Sequence, residues 1–217
     1  MSCRQCQGIE RLFNPKLAEQ ELRQYRRRGP SKTTKILIES ILARGVSGST
    51  LLDIGGGVGA IPNALLDAGA ESVVSVEASN AYLEVAAREA ERRGVADRWT
   101  FRHGDFVEQA ADIPPADGVT LDRVICCYHD MHSLVQLAAT RARRWIGLVF
   151  PSDTLLFRIG AMAMNGGLLL AGHPYRMFLH RRRDVMQVLS ASGFAVNTSR
   201  RTLLWNVMLF DRQLTGT

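Results

Sequence analysis

The sequence has no long apolar run, few aromatic residues and only four cysteines, and each scarcity excludes something. The opening residues, MSCRQCQGIERLF, carry no apolar segment of the kind found in a secretory signal, so none is expected. The least polar long stretch, 159–172 (IGAMAMNGGLLLAG), is too short for a bilayer and contains Asn165, which argues against a membrane span. Four cysteines without an export signal read as free thiols, and the expected compartment is the cytoplasm. Cys3 and Cys6 have C-x-x-C spacing but no second pair, so no zinc site is completed and no metal is expected. Aromatics are 7% of the chain and do not interleave with the basic clusters at 26–28, 92–93, 143–144 and 181–183. The net charge of +6 is therefore weak support for nucleic-acid binding, and an anionic small molecule remains a candidate partner.

What is present is an alternation. With no internal repeat and no low-complexity linker, 217 residues read as one domain, 1–217. Residues 1–44 look helical: LAEQELRQYRRR is broken at Gly29-Pro30, and Ser31 can cap a helix whose apolar positions recur at helical spacing. From residue 50 short apolar strands alternate with helices: TLLDI, SVVSVE, WTFRHGD, LDRVICC and IGLVF as strands, with helices after the first two and the SLVQLAATRARRW helix before the fifth. Such units build a parallel sheet covered on both faces. A segment at 151–180 follows, then a helix near 184–192. The final GFAVNTSRRTLLWNVMLFDR reads as two strands joined by a tight turn, which must be antiparallel. The expectation is an α/β, Rossmann-like, doubly wound, mostly parallel seven-stranded sheet, ending in an antiparallel hairpin (181–217) and fronted by an N-terminal helical lid (1–44). Residues 50–150 would be the cofactor-binding core and 151–180 an insertion on the substrate side.

The sharpest local signal is DIGGGVG, with Gly55, Gly56, Gly57 and Gly59 in the first strand-to-helix turn. Glycines there let backbone approach a ligand closely. A dinucleotide fingerprint can be read onto Gly55, Gly57 and Ala60, with Glu77 as the ribose acid, which would make an NAD(P)-dependent oxidoreductase. Asp53, two places before the first glycine, would repel a pyrophosphate, and the chain lacks the second mononucleotide-binding half.

LLDIGGGVG resembles motif I of the class I S-adenosylmethionine-dependent methyltransferases, with the D-x-G-x-G-x-G pattern at Asp53, Gly55, Gly57 and Gly59. Glu77 at the end of the second strand is similar to the family's ribose-binding acid. Asp105, in HGDF after the third strand, resembles the acid that receives the adenine amino group. The likeness spans roughly 31–211. It implies that S-adenosyl-L-methionine is held by Asp53, the four glycines, Glu77, Ala78, Asp105, Phe106, Cys126 and Cys127. That cofactor has a sulfonium and an ammonium in place of phosphates, so acids beside the loop suit it. LDRVICCYHDMH resembles the fourth-strand motif that faces the acceptor, and His129 or His132 is the expected base. The acceptor pocket would come from the N-terminal helices and the 151–180 segment, with Tyr25, Tyr128, Arg158 and Tyr175 as expected contacts. An apolar region with a few arginines suits a small acceptor that is apolar or carries carboxylates; the 151–180 segment has a faint likeness to magnesium-protoporphyrin O-methyltransferases. The implied reaction is methyl transfer to a small molecule, at oxygen. A nucleic-acid methyltransferase or binding module is the further alternative, although CCYH stands where many such enzymes carry an N-P-P-Y-type tetrapeptide.

Overall fold

The computed structural model describes residues 4–213, without the side chains at positions 4, 6 and 7; the Cys3/Cys6 reading falls outside the described residues. Three helices come first: α1 (Arg4–Leu12), α2 (Pro15–Arg28) and α3 (Lys32–Leu42). Asn14 and Ser31 cap α2 and α3 by accepting from the backbone N–H groups of Leu17 and Thr34, as N-cap residues do. The alternating core follows: β1 (Thr50–Ile54), α4 (Ala60–Asp67), β2 (Ser72–Glu77), α5 (Asn80–Arg93), β3 (Trp99–His103), the short α6 (Phe106–Gln109), β4 (Ala116–Asp122), α7 (Met131–Arg141) and β5 (Ala142–Pro151). Then come α8 (Leu155–Leu170), α9 (Arg182–Ala191), β6 (Phe194–Arg201) and β7 (Trp205–Arg212).

The seven strands form one sheet in the order β3-β2-β1-β4-β5-β7-β6. The first five run parallel, and β7 is antiparallel to both β5 and β6. Alternation along the strands divides the core. Leu51, Val73, Trp145, Val207 and Leu209 pack with Leu37, Ile41 and Leu65 on one face. Leu52, Val76, Ile146, Met208 and Phe210 pack with Leu134, Ala138, Val185 and Leu189 on the other. A side-chain period of two is what sends neighbours to opposite layers.

Two boundaries differ from the sequence reading. The fourth strand is Ala116–Asp122 rather than LDRVICC; the chain turns at Arg123, which has φ 64, and residues Ile125–Cys127 form a 3-10 turn. The helix before the fifth strand ends at Arg141, and β5 already begins at Ala142. RARRW is not apolar and reads as helix; pairing of Ala142 and Trp145 with β4 and Trp145's burial against the α3 layer override that local preference.

Candidate functional site

The carboxyl ends of β1 to β4 open into a cavity of about 340 Å³, the place where open α/β sheets take ligands. Each of these strand ends contributes one acid: Asp53 from β1, Glu77 from β2, Asp105 just after β3 and Asp122 from β4.

The glycine turn between β1 and α4 forms the floor. Gly55, Gly57 and Gly59 have φ of 63, 58 and 80, a left-handed backbone that glycine adopts without penalty. A Cβ on Gly56 would fall 1.8 Å from Asp53 Oδ2, so the loop can lie against that carboxylate only without a side chain. Asp53 is fully buried; Oδ1 accepts from the Thr120 hydroxyl at 2.5 Å, while Oδ2 has no hydrogen-bond partner. Burial pushes its carboxyl up to about 7, against the Thr120 bond, and the charges of Asp122 and Glu77 add to the rise. Glu77 accepts from the backbone N–H groups of Ser79 at 3.0 Å and Gly57 at 3.3 Å. Its carboxyl is also raised by burial, opposed by the backbone bonds from Ser79, Gly57 and Ala78. Asp105 caps α6 through Val107 N–H at 2.8 Å and accepts from the Tyr128 hydroxyl at 2.9 Å.

Asp122, which the sequence reading passed over as mid-strand, is the fourth acid. Oδ2 accepts from the Thr34 hydroxyl at 2.5 Å; Oδ1 makes no hydrogen bond, and Arg123 Nε stands 3.8 Å away. Burial raises this carboxyl too, against the Arg123 charge and the Thr34 bond. Arg123 is the one non-glycine residue with positive φ among those described, a strained backbone of the kind that clusters at functional sites. Its guanidinium donates to the hydroxyls of Ser31 and Thr33 and lies over the Trp205 ring.

The N-terminal helices roof the cavity. Gln5 donates to the carbonyls of Cys127 and Arg176 at 2.9 and 2.8 Å and accepts from Arg176 N–H at 3.1 Å. The Ser79 hydroxyl donates to the Phe13 carbonyl at 2.7 Å. Arg26 of α2 pairs with the fully buried Glu89 of α5. Tyr82, 3% exposed, sits over Gly57, and burial, with the Glu21 carboxylate beside it, raises its hydroxyl far above its ordinary range. Gln5, Tyr82, Thr34 and Arg123 were not singled out in the sequence. No motif marks them, since each acquires its place through contacts across the fold.

Of the expected cofactor residues, Gly55, Gly56, Gly57, Glu77, Ala78, Asp105, Phe106 and Cys127 line the cavity, with Asp53 buried beneath. Gly59 and Cys126 do not: Gly59 packs on Trp99, and Cys126 is buried behind the turn. Tyr25 and Tyr128 line the cavity. Tyr175 is buried beside it, its hydroxyl 3.1 Å from Cys127 Sγ and its ring edge-on to Phe13. Three expectations fail on geometry. Arg158 is exposed on α8, outside the cavity lining. His129 is exposed and stacks on Tyr128, and His132 is exposed on the first turn of α7; neither lines the cavity. They were placed one turn too close because the fourth strand ends at Asp122, five residues earlier than the sequence suggested. Among the described residues no group of three or more acids, histidines and cysteines could hold a metal ion, and no helix is long and apolar enough to cross a membrane.

Residues 51–146 match a family model described as a methyltransferase domain. No curated protein matches the chain by sequence. Among solved structures, the magnesium protoporphyrin IX methyltransferase of Synechocystis PCC 6803 with bound SAH superposes with a TM-score of 0.67 at 21% identity, over 83% of this chain and 82% of that one. The mitomycin 7-O-methyltransferase MmcR gives a TM-score of 0.64 at 22% identity, over 92% of this chain and 58% of that one. The [4+2]-cyclase SpnF gives 0.65 at 13% identity, over 82% and 80%. At these identities the likeness is one of fold, and the cyclase illustrates that this fold hosts more than one chemistry.

Proposed function

We propose that the chain is a class I S-adenosylmethionine-dependent methyltransferase and that it methylates a hydroxyl oxygen of a small molecule that also bears a carboxylate. The observation that carries this reading is the acid at each of four adjacent strand ends, three of them with ionisation disfavoured by burial. Such a ring gains from a cationic ligand and would repel a pyrophosphate, which favours S-adenosylmethionine over a nicotinamide dinucleotide. A β7 strand antiparallel between β5 and β6 also replaces the second mononucleotide half.

The residues present fit that cofactor. The cavity floor is bare backbone at Gly57, where a Cβ would meet only the Tyr82 ring at 3.7 Å. Glu77 is placed to accept from a ribose diol and Asp105 from an exocyclic amine, while Asp53 acts on positive charge through the loop. Charge-assisted bonds of this type are the stronger ones. The cofactor supplies an activated methyl group on a sulfonium, so the protein's tasks are orientation, exclusion of water and removal of the acceptor's proton. The roof of α1 and α2 excludes water. Asp122 takes the role first given to the histidines: it lines the cavity, its Oδ1 is unoccupied by hydrogen bonds, and burial makes it more basic than an ordinary carboxylate. Arg123 at the same rim receives the acceptor's carboxylate, which a guanidinium can bind with two donors. The O-methyltransferase among the similar folds is consistent with oxygen as the acceptor atom.

The test uses radiolabelled S-adenosylmethionine with a panel of hydroxy acids and matched amines and thiols. Transfer to hydroxyls is expected. Asp122→Asn should lower kcat by about 10²–10⁴ with S-adenosylhomocysteine affinity unchanged, while His129→Ala and His132→Ala keep full activity. Transfer to amines or thiols alone, or an active Asp122→Asn, would overturn the assignment.

A further inference from the structure

Helix α8, LLFRIGAMAMNGGLLL, has one charged residue in sixteen, and only Ala161 of the helix is buried. At 100° per residue, Phe157, Ala161, Asn165 and Leu168 share the face that meets the protein. Phe157 packs edge-on against Trp205, the Asn165 side chain bonds both backbone groups of Met177, and His173 N–H reaches the Leu168 carbonyl. The opposite face is apolar throughout and open: Leu155 72%, Ile159 52%, Met162 65% and Leu170 92% exposed. It continues onto the tip of the β6–β7 hairpin, where Leu203 is 75% exposed and the Leu204 carbonyl accepts from Ser152 N–H just ahead of the helix. Exposed apolar patches of this kind mark interaction surfaces.

Charge chooses the partner. Residues 151–204 contain seven arginines, two aspartates and no lysine or glutamate, so nearly all the chain's net positive charge is in this one segment. Arg158 is exposed on α8, Arg200 and Arg201 are exposed next to the hairpin tip, and Arg182 bonds Ser199 of the same strand, which brings the 181–183 cluster alongside.

We propose that the α8 face and the β6–β7 tip form an interfacial docking surface for an anionic lipid bilayer, with α8 lying in the membrane plane and the arginines on the headgroups. An apolar helix face combined with clustered basic residues gives this two-part attachment, and neither part requires a membrane span. The surface stands apart from the cavity, so the inference holds whatever the acceptor is.

Flotation of the full chain with vesicles of phosphatidylcholine, with and without phosphatidylserine, tests it. The expected result is recovery with the phosphatidylserine vesicles, weaker by at least about tenfold on neutral ones and reversed by high salt. Ile159→Glu with Leu170→Glu should abolish flotation without lowering the melting temperature, because both side chains are exposed. Arg200→Ala with Arg201→Ala should weaken it while leaving the apolar face intact. A chain that stays unbound, binds neutral and anionic vesicles alike, or floats equally well with both glutamates refutes the proposal. A concentration-dependent dimer in sedimentation that the glutamate pair dissolves would assign the face to a second copy instead.

Discussion

Replacing Gly57 and Gly59 separately by alanine should separate binding from folding, although both have left-handed backbone in the same turn. At Gly59 the new Cβ would lie 2.3 Å from the Trp99 ring, inside the packed layer between α4 and β3. Left-handed backbone costs an L-residue about 1–2 kcal/mol, and overpacking adds about 1–3 kcal/mol, so Gly59→Ala should lose about 2–5 kcal/mol of stability. At Gly57 the nearest atoms are Tyr82 ring carbons at 3.7 and 3.8 Å, an ordinary contact, leaving only the backbone cost of about 1–2 kcal/mol. For a chain of this length each kcal/mol moves the melting temperature by about 2–4 °C. The binding order is the reverse. Gly57 lines the cavity and Gly59 does not, so the methyl of Gly57→Ala stands where the cofactor must lie and should weaken S-adenosylhomocysteine by more than about tenfold, or 1.4 kcal/mol. Gly59→Ala, once folded, should bind within about threefold of the parent. Thermal melts and calorimetric titrations of both variants supply the four values. If Gly57→Ala is the less stable variant, or binds normally, the loop is not the cradle.

Other consequences are independent of that one. Glu77→Ala should weaken S-adenosylhomocysteine by more than about tenfold; a change within twofold in the titration removes the ribose assignment. Because burial raises Asp53 from 3.8 to about 7, the folded state binds more protons than the unfolded one between those values. Stability should therefore fall as pH rises from about 4 to 7, and Asp53→Asn should flatten that slope in denaturant titrations; an unchanged slope would assign it to other groups. The ionised form of Asp53 favours a cation, so S-adenosylmethionine should tighten as pH rises through 7 more than S-adenosylhomocysteine, which lacks the sulfonium; parallel pH dependences would contradict this. Gln5→Ala removes two donated bonds to the 126–128 turn and the 175–177 segment, each about 0.5–1.5 kcal/mol. Hydrogen exchange in α1 should accelerate while that of β1 stays unchanged.

The sheet, its terminal hairpin and the cofactor loop could be read in the sequence because they rest on local signals: short apolar strands alternating with helices, Ser31 as a helix cap, and a glycine cluster after TLLDI. The acceptor side could not. LDRVICC has the composition of a strand, but the chain leaves the sheet at Arg123, where Ser31, Thr33, Asp122 and Trp205 hold the guanidinium. The contacts with Ser31, Thr33 and Trp205 join residues about 80 to 90 apart, and no window of sequence contains them. The sequence reading ran β4 five residues past its end at Asp122, which put His129 nearer to the strand end than it lies. Arg158 was misplaced for a related reason: an arginine in an apolar helix looks like a pocket residue until the helix is seen to present most of its surface outward.

Calorimetric titration of the purified chain with S-adenosylhomocysteine, with NADH run in parallel, tests the central claim most directly. Micromolar binding of the first, lost in Gly57→Ala, and no heat from the second is the predicted result. Binding of NADH with none of S-adenosylhomocysteine would contradict it.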